Sequence, residues 1–198
     1  MRTYAPAHGE FEAGQGTKDH FKTLGPCFQE YFVETMKKLD DPGLLLVSTN
    51  KKGKSNVMSI GWGFIGVFGG KLVFMVSLDY SSYTREFIEE SGEFTVNVPG
   101  ENMSDVVKHC GSVSGRVHDK FSECKLELLK SRIVKADIIA QCRLHYECRV
   151  INKLNGIPDL FSTKTLFRVL VKKMRSILHF SNNHSILYFG EIMAVYRH

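Results

Sequence analysis

The stretch that decides the fold runs from residue 44 to 77 and has the sequence LLLVSTNKKGKSNVMSIGWGFIGVFGGKLVFMVS. Turn-forming residues at 50–54 and at Gly69-Gly70 divide it into segments rich in Val, Ile, Leu and Phe. This composition predicts three antiparallel strands, over Leu44 to Thr49, Asn56 to Phe68 and Leu72 to Ser77. Gly63 and Gly66 indicate a bend or a close backbone approach within the second strand.

The flanking segments predict short helices and further strands. Apolar residues at helical spacing predict a first helix from Phe28 that stops at Asp40-Asp41-Pro42-Gly43, and a second that ends at Ser91-Gly92. A third helix is expected near Met103 to Cys110, with Gly111 as its C-terminal cap. Strands are expected over Phe94 to Val98, Gln141 to Ile151 and Ile186 to Tyr196.

The strand over Gln141 to Ile151 alternates cleanly and is therefore expected to be half-exposed. Its outward residues would be Arg143, His145, Glu147 and Arg149. Five to seven strands with short helices favour a mainly β protein built as a Greek-key barrel. Long crossover helices and the G-x-G-x-x-G motif are both absent from the sequence, which disfavours a Rossmann fold.

Length and composition favour one compact domain. The chain has 198 residues, of which 43% are hydrophobic, and we expect an N-terminal arm over residues 1–27 and a single domain over residues 28–198. The sequence has no run of about 18 apolar residues and no apolar signal-peptide centre, so we expect a cytoplasmic protein without a membrane partner. Its five cysteines are scattered, which makes disulfides and metal ligands poor expectations.

The charge is concentrated in one segment. The net charge is +5, and residues 160–180 contain five basic residues and no acidic one. A generalised basic surface is therefore absent, so nucleic acid is an unlikely partner. A predicted amphipathic helix over 164–175 carries four of these basic residues on one face, Lys164, Arg168, Lys172 and Arg175, with Lys173 to one side. That helix is either a solvated surface or a docking site for an acidic redox partner.

Three segments carry residues suited to binding a ligand. Ser81, Ser82 and Thr84 lie at the start of the second helix, where they could hold a phosphate, although the residues alone favour Ser82 as a helix cap. The segment 56–62 could face a flat ring or be an ordinary strand. The loop 110–116, with Lys120 and Phe121, could clamp a ligand or be a surface turn. His109 and His118 are expected to be solvated rather than catalytic, because neither has an Asp or Cys partner at motif spacing. Cys110 is expected to be a small buried hydrophobe.

The segments NVMSIGW, SSYTREFIEESGEFTVNVP and CGSVSGRVHDKF, in this order, resemble the flavin reductase-like family that includes flavoredoxin. The final YFGEIMAVY is similar to the last barrel strand of that family. The resemblance implies an FMN-binding split barrel that forms a homodimer with the flavin near the subunit interface. The implied cofactor is FMN before FAD, and NADH or NADPH is the implied reductant.

By motif position, the resemblance implies that three groups of residues bind the cofactor. Asn56, Met58, Ser59 and Gly61 would line the flavin ring, with Trp62 and Tyr83 as neighbours; Ser81, Ser82 and Thr84 would hold the phosphate; and Ser114, Gly115, Lys120 and Phe121 would close the site. Relatives often carry an arginine immediately before the Y-T pair, where this chain has Ser82. No catalytic residue and no metal ligand is implied, since the cofactor carries the chemistry.

Three functions follow as hypotheses. The first is an NAD(P)H-dependent flavin reductase, in which hydride passes from the nicotinamide to flavin N5. The second is a flavoredoxin-like electron-transfer protein that retains FMN. The third is a non-catalytic binding or scaffold protein built on the same barrel. Oxidation of NAD(P)H with free flavin separates the first from the second, and a colourless protein that cannot bind FMN favours the third.

Overall fold

A computed structural model of the chain describes residues 28–157 and 185–197. The expected N-terminal arm, residues 1–27, and the expected basic helix, residues 164–175, lie outside these ranges. Within them, no helix is long and apolar enough to cross a membrane.

Four short helices lie in the described part of the chain: α1 Phe28–Asp40, α2 Tyr83–Ser91, α3 Ser104–Ser112 and α4 Lys120–Glu123. The predicted ends of the first two are confirmed. Gly92 follows α2 with a φ of 69° and donates its N–H to the Ile88 carbonyl at 2.8 Å, a conformation that glycine adopts without steric cost.

The prediction that Gly111 caps α3 is wrong, because α3 continues to Ser112 and extended Val113 follows it. Position 111 requires a glycine for another reason. A Cβ at this position would lie 2.3 Å from the hydroxyl oxygen of Ser59, so the absence of a side chain lets the helix pack directly on a strand.

Nine strands are described: β1 Leu44–Thr49, β2 Ser55–Ile60, β3 Gly63–Phe68, β4 Lys71–Asp79, β5 Glu93–Pro99, β6 Leu128–Leu129, β7 Ile138–Ile139, β8 Cys142–Ile157 and β9 Ser185–Arg197. Seven of them form one antiparallel sheet in the order β2-β1-β5-β8-β9-β4-β3, and β6 pairs with β7. The long connection through α2 carries β5 back to pair with β1. The expected mainly β fold of the split-barrel type is confirmed.

The two edges of the large sheet are only two residues apart in sequence. Strands β2 and β3 lie at opposite edges, and Gly61-Trp62 joins them. The sheet must therefore curl into a barrel, and the prediction of one continuous strand over Asn56 to Phe68 is wrong. The predicted close approach is confirmed at Gly63, where a Cβ would meet the Met75 carbonyl oxygen at 2.6 Å, but not at Gly66.

Large aromatic side chains fill the barrel interior. Phe74, Phe94, Tyr146 and Tyr188 are almost fully buried, and the rings of Phe74 and Tyr146 meet edge to face at 5.4 Å. Burying a side chain such as Phe74 contributes about 1.5–3 kcal/mol. The Tyr146 hydroxyl hydrogen-bonds that of Thr35 at 2.7 Å, which fastens α1 to the barrel.

A second apolar layer covers the outer face of β1, β2 and β8. This outer apolar cluster contains buried Leu45, Val47, Val57, Met103, Val107, Cys110, Leu126, Ile139 and Cys142. The expectation that Cys110 is a small buried hydrophobe is confirmed. Phe121 and Cys124 are partly buried and pack against the same cluster.

The expectation that β8 is half-exposed is wrong at His145 and Glu147, which are both fully buried. Residues 130–137 cover this face. The Glu147 carboxylate accepts backbone N–H groups from Arg132, Ile133 and Val134 at 2.6–2.9 Å, and the Tyr196 hydroxyl at 2.7 Å. A buried carboxylate thus anchors a coil segment that has no regular structure of its own.

Candidate functional site

The candidate site lies where β2, the start of α2 and the loop after α3 meet. The side-chain amide of Asn56 on β2 donates to the hydroxyl of Thr84 on α2 at 2.7 Å, and both residues are buried. Asn56 and Thr84 are 28 positions apart in sequence. Their bond therefore links the predicted ring-lining group to the predicted phosphate group.

The glycine- and serine-rich loop packs tightly against β2. A Cβ at Gly115 would lie 2.0 Å from the side-chain oxygen of Asn56, so only glycine permits this approach. The carbonyl of Ser114 accepts the N–H groups of Val117 and His118, both at 3.0 Å, which fixes the turn that follows. The structure therefore brings the predicted loop residues Ser114 and Gly115 to the predicted ring strand.

Arg116 extends from this loop to the start of α2. Its guanidinium donates to the Ser81 carbonyl at 3.2 Å, forms an ion pair with Glu86, and stacks over the Tyr83 ring with its central carbon 4.8 Å from the ring centroid. The ammonium of Lys54 lies 5.6 Å from the same centroid. Two cations therefore flank the N-terminus of α2.

The three predicted phosphate hydroxyls have different surroundings. Thr84 is bonded to Asn56, and the Ser81 hydroxyl donates to the Asp79 carboxylate at 2.6 Å. Ser82 occupies the N-cap position of α2, but its side chain makes no capping hydrogen bond. The interpretation that Ser82 caps the helix through its hydroxyl is therefore wrong. The positive end of the helix dipole adds to the two cations at this point.

The remaining ring-lining candidates follow the edge strand. Ser59 contacts Gly111 on the outer face, whereas Met58 is half-buried against the barrel interior. Gly61 and Trp62 are exposed at the link between β2 and β3, with 53% of Trp62 accessible. A Cβ at Gly61 would come no closer than 4.0 Å to the atoms around it. The protein's own packing thus does not require glycine at this position.

Lys120 is a buried residue that hydrogen-bonds the backbone, rather than a charge exposed to solvent. Only 4% of it is exposed, and its ammonium donates to the carbonyls of Val57 at 3.0 Å and Cys110 at 2.6 Å. Burial lowers the pKa of Lys120. Lys120 therefore ties β2 to the end of α3, and a direct contact of Lys120 or Phe121 with a cofactor stays a prediction.

Sequence reasoning missed several residues that organise this region. Arg116 is part of the quoted CGSVSGR motif but was not assigned to the site, and Lys54 lies in a turn. His109 and His118 share Glu123 as an acidic partner, at 2.7 and 3.0 Å. These two hydrogen bonds hold the pKa of the Glu123 carboxyl below its usual range. In the described ranges no group of three or more His, Cys, Asp or Glu side chains is arranged to hold a metal ion.

The structure is a split barrel in which two cationic side chains, Arg116 and Lys54, lie beside the first residue of α2. The family model described as "Flavin reductase like domain" matches residues 41–196. The chain therefore belongs to the flavin reductase-like family.

A curated protein and two solved structures are similar to this chain. An uncharacterised Archaeoglobus fulgidus protein is 35% identical over 109 residues, which cover 54% of this chain and 61% of the relative. The chain thus matches less than two thirds of that relative's length. Flavoredoxin from Methanosarcina acetivorans is 29% identical with a TM-score of 0.58, over 79% of this chain and 68% of that one. Flavoredoxin of Desulfovibrio vulgaris (Miyazaki F) is 21% identical with a TM-score of 0.59, over 79% and 69%.

Proposed function

We propose that the chain binds FMN along β2, with the phosphate at the start of α2, and catalyses flavin reduction by NADH or NADPH. The observation that carries this proposal is the convergence of Arg116, Lys54 and the N-cap residue Ser82 beside the pair Asn56–Thr84. A helix N-terminus with two nearby cations favours a dianionic phosphate. Arg116 would supply the guanidinium that relatives often carry immediately before the Y-T pair.

The residues present fit one phosphate and one flat ring. Lys54 would balance part of the phosphate charge, and Arg116 would do so by exchanging its ion pair with Glu86 for one with the phosphate. Asn56 is held in one orientation by Thr84 and by the contact with Gly115. Gly61 has no side chain to prevent a ring from approaching the exposed end of β2. One cluster of cations favours the monophosphate FMN over FAD.

The protein's role in this chemistry is positioning. Bound FMN would supply the hydride acceptor, at N5 of its ring. The side chains on β2 would hold the ring in place, and the exposed end of the strand near Trp62 leaves an approach for the nicotinamide. No side chain is assigned to proton transfer, and we propose no catalytic residue.

A homodimer would complete the site. Strand β3 is an edge of the sheet, and it exposes 47% of Phe64, 63% of Val67 and 47% of Phe68. Exposed apolar edge strands favour association with a second chain. Because Trp62 immediately precedes β3 and follows β2, a subunit that covers β3 would also border the proposed ring site.

A flavoredoxin-like electron-transfer protein is the second candidate, because the Methanosarcina acetivorans flavoredoxin is 29% identical over 79% of the chain. Oxidation of NADH and NADPH should be followed with catalytic amounts of protein and an excess of free FMN. Multiple turnovers of free FMN support the reductase. FMN that copurifies with the protein, without turnover of added flavin, supports the electron-transfer protein. A colourless protein that binds no FMN contradicts both and favours a scaffold.

A further inference from the structure

An anionic side chain of the protein itself is paired with a cation at the start of α2. One guanidinium nitrogen of Arg116 donates to the carboxylate of Glu86, which lies in the first turn of that helix. The side chains of both residues are 42% exposed, so the ion pair lies at the protein surface. A phosphate that binds here therefore meets an arginine that already has an anionic partner.

Two hydroxyls at this end of α2 are engaged as well. The Thr84 hydroxyl accepts the Asn56 amide in a buried bond, and the N–H and hydroxyl of Ser81 donate to the Asp79 carboxylate at 2.7 and 2.6 Å. The Asp79 bonds shape the turn that leads from β4 into the helix. Among these contacts, a phosphate can replace the ion pair with Glu86 with the least change of the backbone, since exposed ion pairs contribute little to stability.

Arg116 can change its anionic partner without leaving this position. A second guanidinium nitrogen donates to the Ser81 carbonyl at 3.2 Å, and the guanidinium carbon lies 4.8 Å from the centroid of the Tyr83 ring. A guanidinium has five N–H groups, so these two contacts are compatible with a new bond to a phosphate. The released Glu86 carboxylate would be hydrated, because its side chain is already half-exposed in the ion pair.

We propose that Glu86 is a competing anion that occupies Arg116 when no phosphate is bound and thereby weakens FMN binding, so that the flavin exchanges with solution. This role rests on the proposed function. Glu86 acts in two ways, because it must be displaced from Arg116 and because its charge then repels the nearby phosphate. Riboflavin has no phosphate, so its binding does not depend on Glu86.

A carboxylate that instead held Arg116 in place for the phosphate would have the opposite effect. Such a residue would strengthen FMN binding, since a side chain ordered in advance binds its ligand at a smaller entropic cost. The sign of the change in FMN affinity on removing the Glu86 charge therefore distinguishes the two roles. A site that releases FMN readily suits a reductase that turns over free flavin, whereas an electron carrier that retains FMN needs a tighter site.

The test measures the affinities of the full chain for FMN and for riboflavin in the parent, in Glu86→Gln and in Glu90→Gln. The last variant is the matched control, because it removes an exposed carboxylate from the other end of α2. We expect Glu86→Gln to bind FMN roughly three- to tenfold more tightly than the parent, with riboflavin affinity unchanged. Glu90→Gln should keep both affinities of the parent. An unchanged or weaker FMN affinity in Glu86→Gln, or an equal gain for riboflavin, overturns the proposal.

A double variant tests whether Glu86 acts through Arg116. In an Arg116→Ala background, the change Glu86→Gln should give a smaller gain in FMN affinity, because no guanidinium is left to be released. An undiminished gain overturns the exchange of partners.

Inorganic phosphate separates this role from the proposed function. A parent that binds neither flavin, or binds both equally, contradicts the proposed function. Phosphate alone then decides the role of Glu86, because a ligand that binds the folded state raises the melting temperature. We expect Glu86→Gln to be stabilised at lower phosphate concentrations than the parent. An equal dependence on phosphate in the two proteins overturns the proposal.

Discussion

The amide of Asn56 donates a 2.7 Å hydrogen bond to the hydroxyl of Thr84, and at most 6% of either residue is exposed. This bond joins the edge strand of the barrel to the first turn of α2. Gly115 approaches the other atom of the same amide so closely that a Cβ there would lie 2.0 Å from its oxygen. One buried amide thus sets the relative positions of the strand, the helix and the loop at the candidate site.

The substitution Gly61→Ala separates a cofactor contact from a folding requirement. Its Cβ would lie 4.0 Å from the nearest atom around it, so the melting temperature should not change. If a flavin ring lies against this residue, the added methyl group costs about 1–3 kcal/mol, which weakens FMN binding roughly fivefold to more than a hundredfold. Gly66→Ala, where the nearest atom is at 3.8 Å, is the control and should preserve FMN affinity. Equal FMN affinity in Gly61→Ala and Gly66→Ala would contradict a contact between the flavin ring and Gly61.

Replacing Lys120 by Met tests its role as a buried support. The change leaves the carbonyls of Val57 and Cys110 without their buried donor, and unmet buried acceptors cost about 1–3 kcal/mol each. We expect the free energy of unfolding, measured by urea denaturation, to fall by roughly 2–4 kcal/mol. Lys108→Met, at a side chain 73% exposed on α3, should change it little. A Lys120→Met protein as stable as the parent would contradict this role.

Glu147 is expected to make stability depend on acid. Burial alone raises the pKa of this carboxyl, but the hydrogen bonds from Tyr196 and three backbone N–H groups outweigh burial and lower it. A carboxyl whose pKa is lower in the folded state contributes stability above its unfolded pKa, about 4.3, and loses that contribution as pH falls through the folded pKa.

The substitution Glu147→Gln should therefore lower the free energy of unfolding at pH 7 by about 2–3 kcal/mol and reduce its decline below pH 4. The exposed Glu127→Gln is the control and should leave the pH profile unchanged. Denaturant titrations at several pH values measure both effects. Parallel acid profiles in Glu147→Gln and the parent would show that Glu147 does not carry the dependence.

The proposed homodimer can be tested at the edge strand. Val67→Glu places a charge among exposed apolar side chains of β3, and burying that charge in an interface is unfavourable. Light scattering should give about twice the chain mass of 22.5 kDa for the parent and a monomer for the variant. Val117→Glu, at a position 83% exposed, should remain dimeric. A monomeric parent that still binds FMN would contradict an interfacial site.

Local patterns predicted most of the fold. The apolar runs from residue 44 onward specified the strands, and Pro42, Gly43 and Gly92 specified where helices end, because these signals act within a few residues. The break between β2 and β3 at Gly61-Trp62 could not be predicted from neighbouring residues. It depends on the tertiary arrangement, in which β2 and β3 join opposite edges of the sheet.

The candidate site was only partly predictable for the same reason. The ordered motifs predicted Asn56, Thr84 and Gly115 as cofactor-binding residues. In the structure, Asn56 hydrogen-bonds Thr84 and lies against Gly115. Tertiary packing decides that Lys120 is buried, and that Glu147 lies beneath residues 130–137 although its strand alternates like an exposed one. Arg116 carried a usable signal, since it is the only arginine between residues 86 and 131.

The most direct test compares FMN with riboflavin, which differs only by lacking the phosphate, in spectroscopic titrations of the parent and of Arg116→Ala. A hydrogen bond to a charged group contributes about 1.5–3 kcal/mol, so the parent should bind FMN at least about tenfold more tightly than riboflavin. Arg116→Ala should lose most of that preference while its affinity for riboflavin stays the same. A parent that binds the two flavins equally, or neither, would contradict a phosphate site at the start of α2.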